Sequence, residues 1–501
     1  MRIRKAWLVF PATALAAAGA AALDGAGPPA FVSYPILIHV GEAGADHGHF
    51  AMGPGESMVP TPLVRSAGST AFAPSKPGGG TLGVGSDRDV SLASDSYQGE
   101  TGAVSAGSLL VAGSNSIYPG NCSASAAPLA FGDCAPRAYV ATDGVGLSWT
   151  RSALPRTWNG TSFGIGFDPS LDVDKNNTFY FTYGVAPLSG SYPNAIVMVK
   201  STDGVHWTQT TPVTFNKHAA FDDKYYMAID RSASTFANRI YVGWDRNSGN
   251  NQTLYVAYSS DGGTSWNGPV KVNDGTTKFE RVIGAYPAVD NRNGTVYMSW
   301  HDYAKNVIFV DKSTTGGASW GADVGVATTH AGFGQDIGCV GGRSQGPAHA
   351  LKVGTTGTLY VAYADPVAGR GFDVLLTKST DGGAHWSTPV SLNDDATAND
   401  QFQPTLSVQP NGSGGDTVTV TYYDRRDDPN NCLAYVYATQ STDSGATWSA
   451  NVRQTSAQSN FDGNPNGPGD YSSSTPYGGA VYPFFADHRS ADFDVWSVNV
   501  K

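Results

Sequence analysis

Glutamate is the residue that this 501-residue sequence lacks most clearly, because only four of its 42 acidic residues are Glu: Glu42, Glu56, Glu100 and Glu280. Glutamate favours helix interiors, whereas aspartate favours turns and helix caps. The sequence also holds 61 Gly and many Thr, Ser, Val and Tyr residues. This composition predicts an all-β chain with many tight turns and argues against a helical bundle or a doubly wound α/β fold.

Positive charge is also scarce. Lys and Arg number 31 against 42 acidic residues, which gives a formal net charge of -11. A protein that binds nucleic acid needs a basic face, so we expect no nucleic-acid partner. Apolar residues make up 40% of the chain, which is enough to bury a core and excludes disorder of the chain as a whole.

Long apolar runs are absent beyond the N-terminus. There, a basic start from Arg2 to Lys5 precedes an apolar run over residues 6–18 and a small-residue cleavage site, either Ala18-Gly19-Ala20 or Ala20-Ala21-Ala22. This order predicts a signal peptide over residues 1–22, a secreted protein (extracellular or periplasmic) and no membrane span after cleavage. The alternative is an uncleaved anchor, although Pro11 interrupts the run.

Cysteine is rare, with four residues in all. Cys122 and Cys134 lie close together in a loop-like stretch and predict a local disulfide in an oxidising compartment. Cys339 and Cys432 then remain as a candidate second bridge. No Cys-x-x-Cys or His-rich spacing occurs, so we expect no zinc site.

What the sequence does contain is an internal repeat. The motif Ser-x-Asp-Gly-Gly-x-x-Trp is clearest at residues 259–266, 379–386 and 441–448, with degenerate copies at 141–149, 201–207 and 313–320. Aspartate accepts backbone hydrogen bonds in a turn, glycine permits positive φ, and tryptophan packs between strands. We therefore interpret the motif as a structural turn between two strands and assign its aspartates no catalytic role: Asp143, Asp203, Asp261, Asp381 and Asp443.

Each unit of about 60 residues carries three further strand patterns, so four strands per unit predict a β-propeller blade. First strands start near seven positions: Glu100, Phe163, Tyr225, Ala285, Ala348, Pro404 and Tyr471. We predict seven blades, with six as the alternative, and closure of the ring by an N-terminal strand at Asp89-Val90-Ser91-Leu92. The propeller would span residues 86–501, preceded by a flexible Gly/Pro/Ser/Ala-rich arm over residues 23–85.

The repeat resembles the Asp-box, or bacterial neuraminidase, repeat of the sialidase superfamily. The resemblance covers roughly residues 100–500 and implies a propeller fold. Sialidases of this type bind the substrate carboxylate with three arginines and use a Tyr nucleophile paired with a Glu and an Asp as acid/base. They also carry a Phe/Tyr-Arg-Ile-Pro motif before the first box, which this sequence lacks.

Candidate site residues lie on the predicted face opposite the boxes. Arg246, Arg281, Arg426 and Arg489 could bind a carboxylate, because a guanidinium donates two parallel hydrogen bonds to it. Glu280 could activate Tyr471 or another tyrosine, and Asp302 or Asp424 could act as the acid. The predicted blade entrances gather further polar residues: Glu100, Asp222-Asp223-Lys224, Glu280-Arg281, Gln401-Gln403 and Asp470-Tyr471.

The alternative for each aspartate after a second strand is structural, as the partner of a nearby arginine between blades. At the level of function, the resemblance implies a glycoside hydrolase of exo-α-sialidase type acting on glycans. The alternative is a non-catalytic extracellular propeller that binds polysaccharide or protein. We expect a monomer that needs no cofactor, with Ca²⁺ as an alternative at the oxygen-rich loop over residues 462–470.

Overall fold

The computed structural model describes residues 72–78, 81–91, 98–116, 134–187, 193–218, 220–248, 251–275, 281–331, 335–340, 348–462, 467–489 and 493–501. Within these ranges every regular element is a β-strand, and no helix occurs, so none could span a membrane. The all-β prediction is confirmed. The signal-peptide prediction lies outside the described residues.

The described strands form seven four-stranded antiparallel sheets, numbered here 1 to 7 in chain order. Sheets 1 to 4 contain these strands: Thr101–Ala106, Leu109–Ser114, Arg137–Ala141 and Thr150–Ala153; Ile165–Val173, Phe179–Ala186, Ala195–Ser201 and Thr208–Gln209; Phe221–Ile229, Ile240–Ser248, Asn251–Ser259 and Asn267–Lys271; Val282–Asp290, Thr295–Asp302, Val307–Ser313 and Val324–Thr328.

Sheets 5 to 7 follow the same order, with one exception at the end of the chain. Their strands are His349–Val353, Leu359–Val367, Gly371–Ser379 and Val390–Ser391; Gln401–Pro410, Asp416–Asp424, Tyr435–Ser441 and Val452–Arg453; Ser473–Tyr477, Ala480–Asp487, Asp494–Ser497 and Arg88–Asp89. A two-stranded hairpin, Thr157–Trp158 with Thr161–Ser162, lies between sheets 1 and 2.

The first strand of each sheet contacts the first strand of the next, and the first strand of sheet 7 contacts that of sheet 1. Sheets 3 and 4 are also joined by one parallel pairing of Tyr225 with Ala285. The outer strand of sheet 7 comes from the N-terminal part of the chain, where Asp89 pairs with Trp496 and Val90 donates to Val495. The sheet edge left open by the C-terminus is therefore covered.

The repeated motifs join the third strand to the fourth in sheets 1 to 6. Asp261 shows why the turn is stable: its carboxylate accepts from the Ser259 hydroxyl, the amides of Thr264 and Ser265, and the Ser265 hydroxyl, at 2.6–3.0 Å. The side chain of Trp266 donates to the Thr211 carbonyl of the preceding sheet, at 3.0 Å. The motif thus locks its own turn and also contacts the neighbouring sheet.

Part of the segment predicted as a flexible arm is ordered against the sheets. Ala73–Pro74 adds a parallel strand to the edge of sheet 5, and Pro77 pairs with Trp448 of sheet 6. Leu82 is buried. Backbone hydrogen bonds of 2.9–3.0 Å, from the amides of Ser75 and Gly78 to sheets 5 and 6, hold this part of the chain, which the Gly-rich composition did not predict.

The three described cysteines are disulfide-bonded. Cys339 and Cys432 form a disulfide, as one of the sequence alternatives had it. Cys134 is disulfide-bonded, and its predicted partner Cys122 lies outside the described residues.

Candidate functional site at the end of the central channel

A channel of about 790 Å³ runs between the first strands of the sheets. All seven first strands contribute to its wall, through residues 101–106, 169–173, 226–229, 286–289, 349–353, 403–408 and 473–476. A cavity of this size, lined by backbone-fixed side chains, lies within the range of small-ligand sites.

Four residues at one end of this channel have left-handed backbone conformations: Glu100, Asp168, Lys224 and Gln403, with φ of 44–51°. Three of them sit at β-bulges of the first strands in sheets 2, 3 and 6. Positive φ is uncommon for residues other than glycine, and a bulge re-aims a side chain out of the strand alternation. Such strained residues concentrate at functional sites.

Three of these side chains meet Asp470 in one charged group, which we call the channel-end cluster: Glu100, Asp168, Lys224 and Asp470. The Lys224 ammonium lies 2.5 Å from Asp470 Oδ2 and 3.7 Å from both Glu100 Oε1 and Asp168 Oδ2. The side chains are only 0–9% exposed, with Asp470 the most accessible. One buried ammonium therefore contacts three carboxylates, and these four side chains come from four segments that are distant in sequence.

Hydrogen bonds hold the Glu100 carboxylate, whereas the Asp470 carboxylate forms an ion pair with Lys224. Asn115 donates through Nδ2 to Glu100, and the Asp470 amide donates to Glu100 Oε1 at 3.3 Å. Asn115 also accepts from the Asp168 amide at 2.8 Å, which holds the Asp168 backbone in place. Neither carboxylate oxygen of Asp168 has a hydrogen-bond partner.

The surroundings of Asp168 and Lys224 raise the pKa values of both groups, for different reasons. Burial raises the pKa of Asp168 well above its usual range, and the carboxylates of Glu100 and Asp223 add to this, although Lys224 opposes it. Burial alone would lower the pKa of Lys224, but Asp168, Asp470 and Glu100 raise it well above its usual value. The geometry thus favours a charged lysine beside a protonated Asp168.

Three tyrosines line the channel: Tyr226, Tyr286 and Tyr471. The Tyr226 ring lies 4.8 Å from that of Tyr286 and 5.3 Å from that of Tyr471, between ring centroids. The Lys352 ammonium lies 5.8 Å from the Tyr286 centroid. Burial lowers the pKa of His349 to about 4, so this histidine on the channel wall is neutral near pH 7.

Most of the predicted arginines pair within their own sheets instead of converging. Arg246 binds Asp222 through two hydrogen bonds of 2.6 and 2.9 Å. Arg426 contacts Asp424 at 2.8 Å and Asp394 at 2.6 Å, and Arg489 binds Asp487. Arg281 lies at the start of sheet 4, where its carbonyl accepts from the Tyr303 amide. Arg246 pairs with an aspartate of its own sheet, whereas Asp394, the second partner of Arg426, lies in the segment between sheets 5 and 6, as the sequence alternative of pairs between blades expected.

The predicted catalytic residues have separate locations. Glu280 lies outside the described residues. Tyr471 lies at the channel-end cluster, where its hydroxyl donates to the Pro169 carbonyl at 3.3 Å. Asp302 accepts from the amides of its own turn and pairs with Lys305 at 2.7 Å. Burial raises the pKa of Asp424 to about 6, against the effect of its Arg426 partner.

The sequence pointed to most of the cluster but missed Asp168. Glu100, Lys224 and Asp470 all stand among the polar residues at the predicted blade entrances, as does Gln403 outside the cluster. Asp168 lies inside an apolar first strand, where it was not singled out. The sequence did contain a pattern that could have identified Asp168: Asp168 and Gln403 each precede a proline at the same point of their strands. Both residues lie at β-bulges.

No metal centre is evident in the parts of the chain that the structure describes. Their one candidate grouping is Cys339, Cys432 and Asp462, and both of its sulfur atoms are engaged in the disulfide. The oxygen-rich loop over residues 462–470 was the alternative Ca²⁺ site in the sequence, and the structure describes Asp462 and residues 467–470 of it. The carboxylate of Asp470 binds Lys224.

The sequence matches no protein-family model and no curated protein. Solved structures similar to this chain include a Hadza microbial sialidase, with 14% identity over 73% of this chain and 74% of the other and a TM-score of 0.43. An α-L-arabinanase from Penicillium chrysogenum is 13% identical over 84% and 98%, with a TM-score of 0.44. An ulvan lyase is 10% identical over 82% and 96%, with a TM-score of 0.45. Similarity at this level assigns no activity to the chain.

Proposed function

We propose that this chain is a secreted, seven-bladed Asp-box propeller that hydrolyses glycans, with its reaction centre in the channel-end cluster. The seven sheets and the pairing of Arg88–Asp89 with sheet 7 support the blade number and the closure of the ring. The observation that carries the activity is Asp168, a buried carboxyl whose oxygens lack a hydrogen-bond partner and which shares the Lys224 ammonium with Glu100 and Asp470. Glycoside hydrolysis needs one protonated and one ionised carboxyl group across the scissile bond.

The finer proposal, an exo-sialidase acting on a terminal acidic sugar, depends on a cation that can meet the substrate carboxylate. Arg246, Arg426 and Arg489 are already bound by aspartates. In the channel, Lys352 has its ammonium next to Tyr286 and is the cation that best fits this role. Sialosides therefore belong in the substrate panel beside neutral glycosides.

The test is sugar release from a panel of sialosides, arabinosides and polysaccharides by the wild-type protein, Asp470→Asn and the box variant Asp381→Asn. We expect release by the wild type, a loss of about 100-fold or more in Asp470→Asn, and little change in Asp381→Asn. Activity that survives Asp470→Asn would place the reaction elsewhere. Activity should also survive a chelator, since we propose that no metal is required.

The second candidate is a non-catalytic propeller that binds polysaccharide or protein. The low exposure of the cluster and the local pairing of the arginines favour it. A folded wild-type protein that binds one of these glycans and releases no sugar from any of them would support this function and exclude the hydrolase.

A further inference from the structure

Asp168 is the member of the cluster whose chemistry the structure defines best. It is fully buried, has a φ of 51°, and lies in the first strand of sheet 2. Its amide is held by Asn115, but both of its carboxylate oxygens lack a hydrogen-bond partner. An ionised carboxylate in this state would carry the full cost of desolvation, whereas a protonated carboxyl would carry far less.

Acidic groups outnumber cationic groups around Asp168. Among the described residues, the ammonium facing this position is that of Lys224, which lies 2.5 Å from Asp470 and 3.7 Å from Asp168. The other described titratable groups around it are acids: Glu100, Asp223, Tyr225, Tyr226, Asp470 and Tyr471. Lys224 cannot neutralise every carboxylate, so one proton held on a carboxyl group lowers the repulsion within the cluster.

We propose that Asp168 holds this proton near neutral pH and donates it to the leaving-group oxygen, and that Lys224 is the positioning residue that keeps Asp470 ionised beside it. The donor role rests on the proposed hydrolase function, whereas the location of the proton does not. Asp470 is the acceptor, because it forms the shortest contact with Lys224 and is the most exposed carboxylate of the cluster.

The proposed step balances in atoms and charge. The Asp168 O–H bond breaks as its proton passes to the glycosidic oxygen, and the bond from this oxygen to the anomeric carbon breaks with its electron pair going to the oxygen. A water oxygen bonds to the anomeric carbon, and the proton that this water loses passes to the Asp470 carboxylate. Asp470 then releases its proton to solvent and Asp168 regains one, so the net reaction is hydrolysis.

Infrared difference spectroscopy locates the proton without requiring activity. The carbonyl stretch of a protonated carboxyl should be present in the wild type at pH 7, shift in heavy water, and decrease in Asp168→Asn. Asp245, which is also buried and has a raised pKa, serves as the comparison, and Asp245→Asn should leave the Asp168 band in place. An unchanged carboxyl band in Asp168→Asn overturns the assignment of the proton, whatever the activity.

Kinetics test the donor role separately. We expect Asp168→Asn to lose at least about 100-fold in kcat/KM and to lose the basic limb of the pH profile, while Asp168→Glu restores part of both. The Lys224→Arg variant should keep the basic limb of the pH profile, and the Lys224→Met variant should shift this limb. If the wild type cleaves no glycan but the band is present, the hydrolase function fails and the buried proton stands. If Asp168→Asn keeps the wild-type profile, Asp168 is not the donor.

Discussion

The aspartates of the box turns and those of the channel-end cluster present the same carboxyl group in opposite surroundings. Asp261, in a box, accepts four hydrogen bonds within its own turn, and its pKa is lowered to about 2, chiefly by the bond from the Ser265 hydroxyl. Asp168 accepts none, and burial raises its pKa. The surroundings of Asp261 stabilise its ionised form, whereas the surroundings of Asp168 stabilise its protonated form.

This difference shows what each region can do. A carboxylate whose lone pairs are occupied by local donors is a fixed part of a turn and has little to offer a ligand. A buried carboxyl without partners retains its hydrogen-bonding capacity for a reacting group, and its backbone is held in a strained conformation. The abundance of aspartate in this chain thus has two physical causes, and burial with hydrogen-bond supply tells them apart.

The largest expected effect is the loss of the cluster cation. Lys224→Met leaves buried carboxylates without their counter-charge, so we expect the free energy of unfolding to fall by about 3–5 kcal/mol. The matched control is Lys305→Met, which removes a half-exposed pair with Asp302 and should cost less than about 1 kcal/mol. Urea unfolding at pH 7 measures both, and equal losses would contradict the difference between the regions.

The second effect contrasts two isosteric substitutions. Asp443→Asn weakens hydrogen bonds from the amides of Ala446 and Thr447 in a box turn, so we expect a loss of about 1 kcal/mol. Asp168→Asn replaces a neutral group by a neutral group and should change stability by no more than about 0.5 kcal/mol. The same unfolding experiment checks the pair, and the reverse order would show that Asp168 is ionised in the folded protein.

The box turns show how much of the fold the sequence could predict. All donors to Asp261 lie within five residues of it, so the motif is visible as a short pattern, and its spacing gives the four-strand unit. The outer strand of sheet 7 was also predictable at Asp89, because the last unit ends before its fourth strand. Local chain geometry determines the first contact, whereas the second joins distant parts of the chain and was visible only from the strand count of the repeat.

The candidate site was predictable only in part for the opposite reason. Glu100, Lys224 and Asp470 were visible as polar residues at the blade entrances, but Asp168 looks like an ordinary residue of an apolar strand. Its role depends on a bulge and on Lys224 and Asp470, which lie far from it along the chain, and no local pattern records this. The predicted arginine site was plausible by residue type, but nearby aspartates occupy Arg246, Arg426 and Arg489.

The smallest expected effect is the dependence of stability on pH. Asp443 has a folded pKa of about 2, below the unfolded value of about 3.9, so its contribution is full above that value and is lost as pH falls towards 2. Asp424 has a folded pKa of about 6, so its contribution is full below about 3.9 and is lost as pH rises towards 6. Urea midpoints from pH 2 to 7 should show Asp443→Asn flattening the acid limb and Asp424→Asn flattening the limb between pH 4 and 6.

If Asp443→Asn flattened the limb between pH 4 and 6 and Asp424→Asn flattened the acid limb, these assignments would be contradicted. An Asp424→Asn variant that changes only the limb below pH 4 would show that the Arg426 ion pair, and not burial, controls this carboxyl group.

The measurement that tests the central claim most directly is a paired comparison of Asp168→Asn and Asp443→Asn for both unfolding free energy and glycan hydrolysis. The account predicts that Asp168→Asn keeps its stability and loses at least about 100-fold in kcat/KM, whereas Asp443→Asn loses stability and keeps its activity. Full activity in Asp168→Asn, or an equal loss of activity in the two variants, would contradict it.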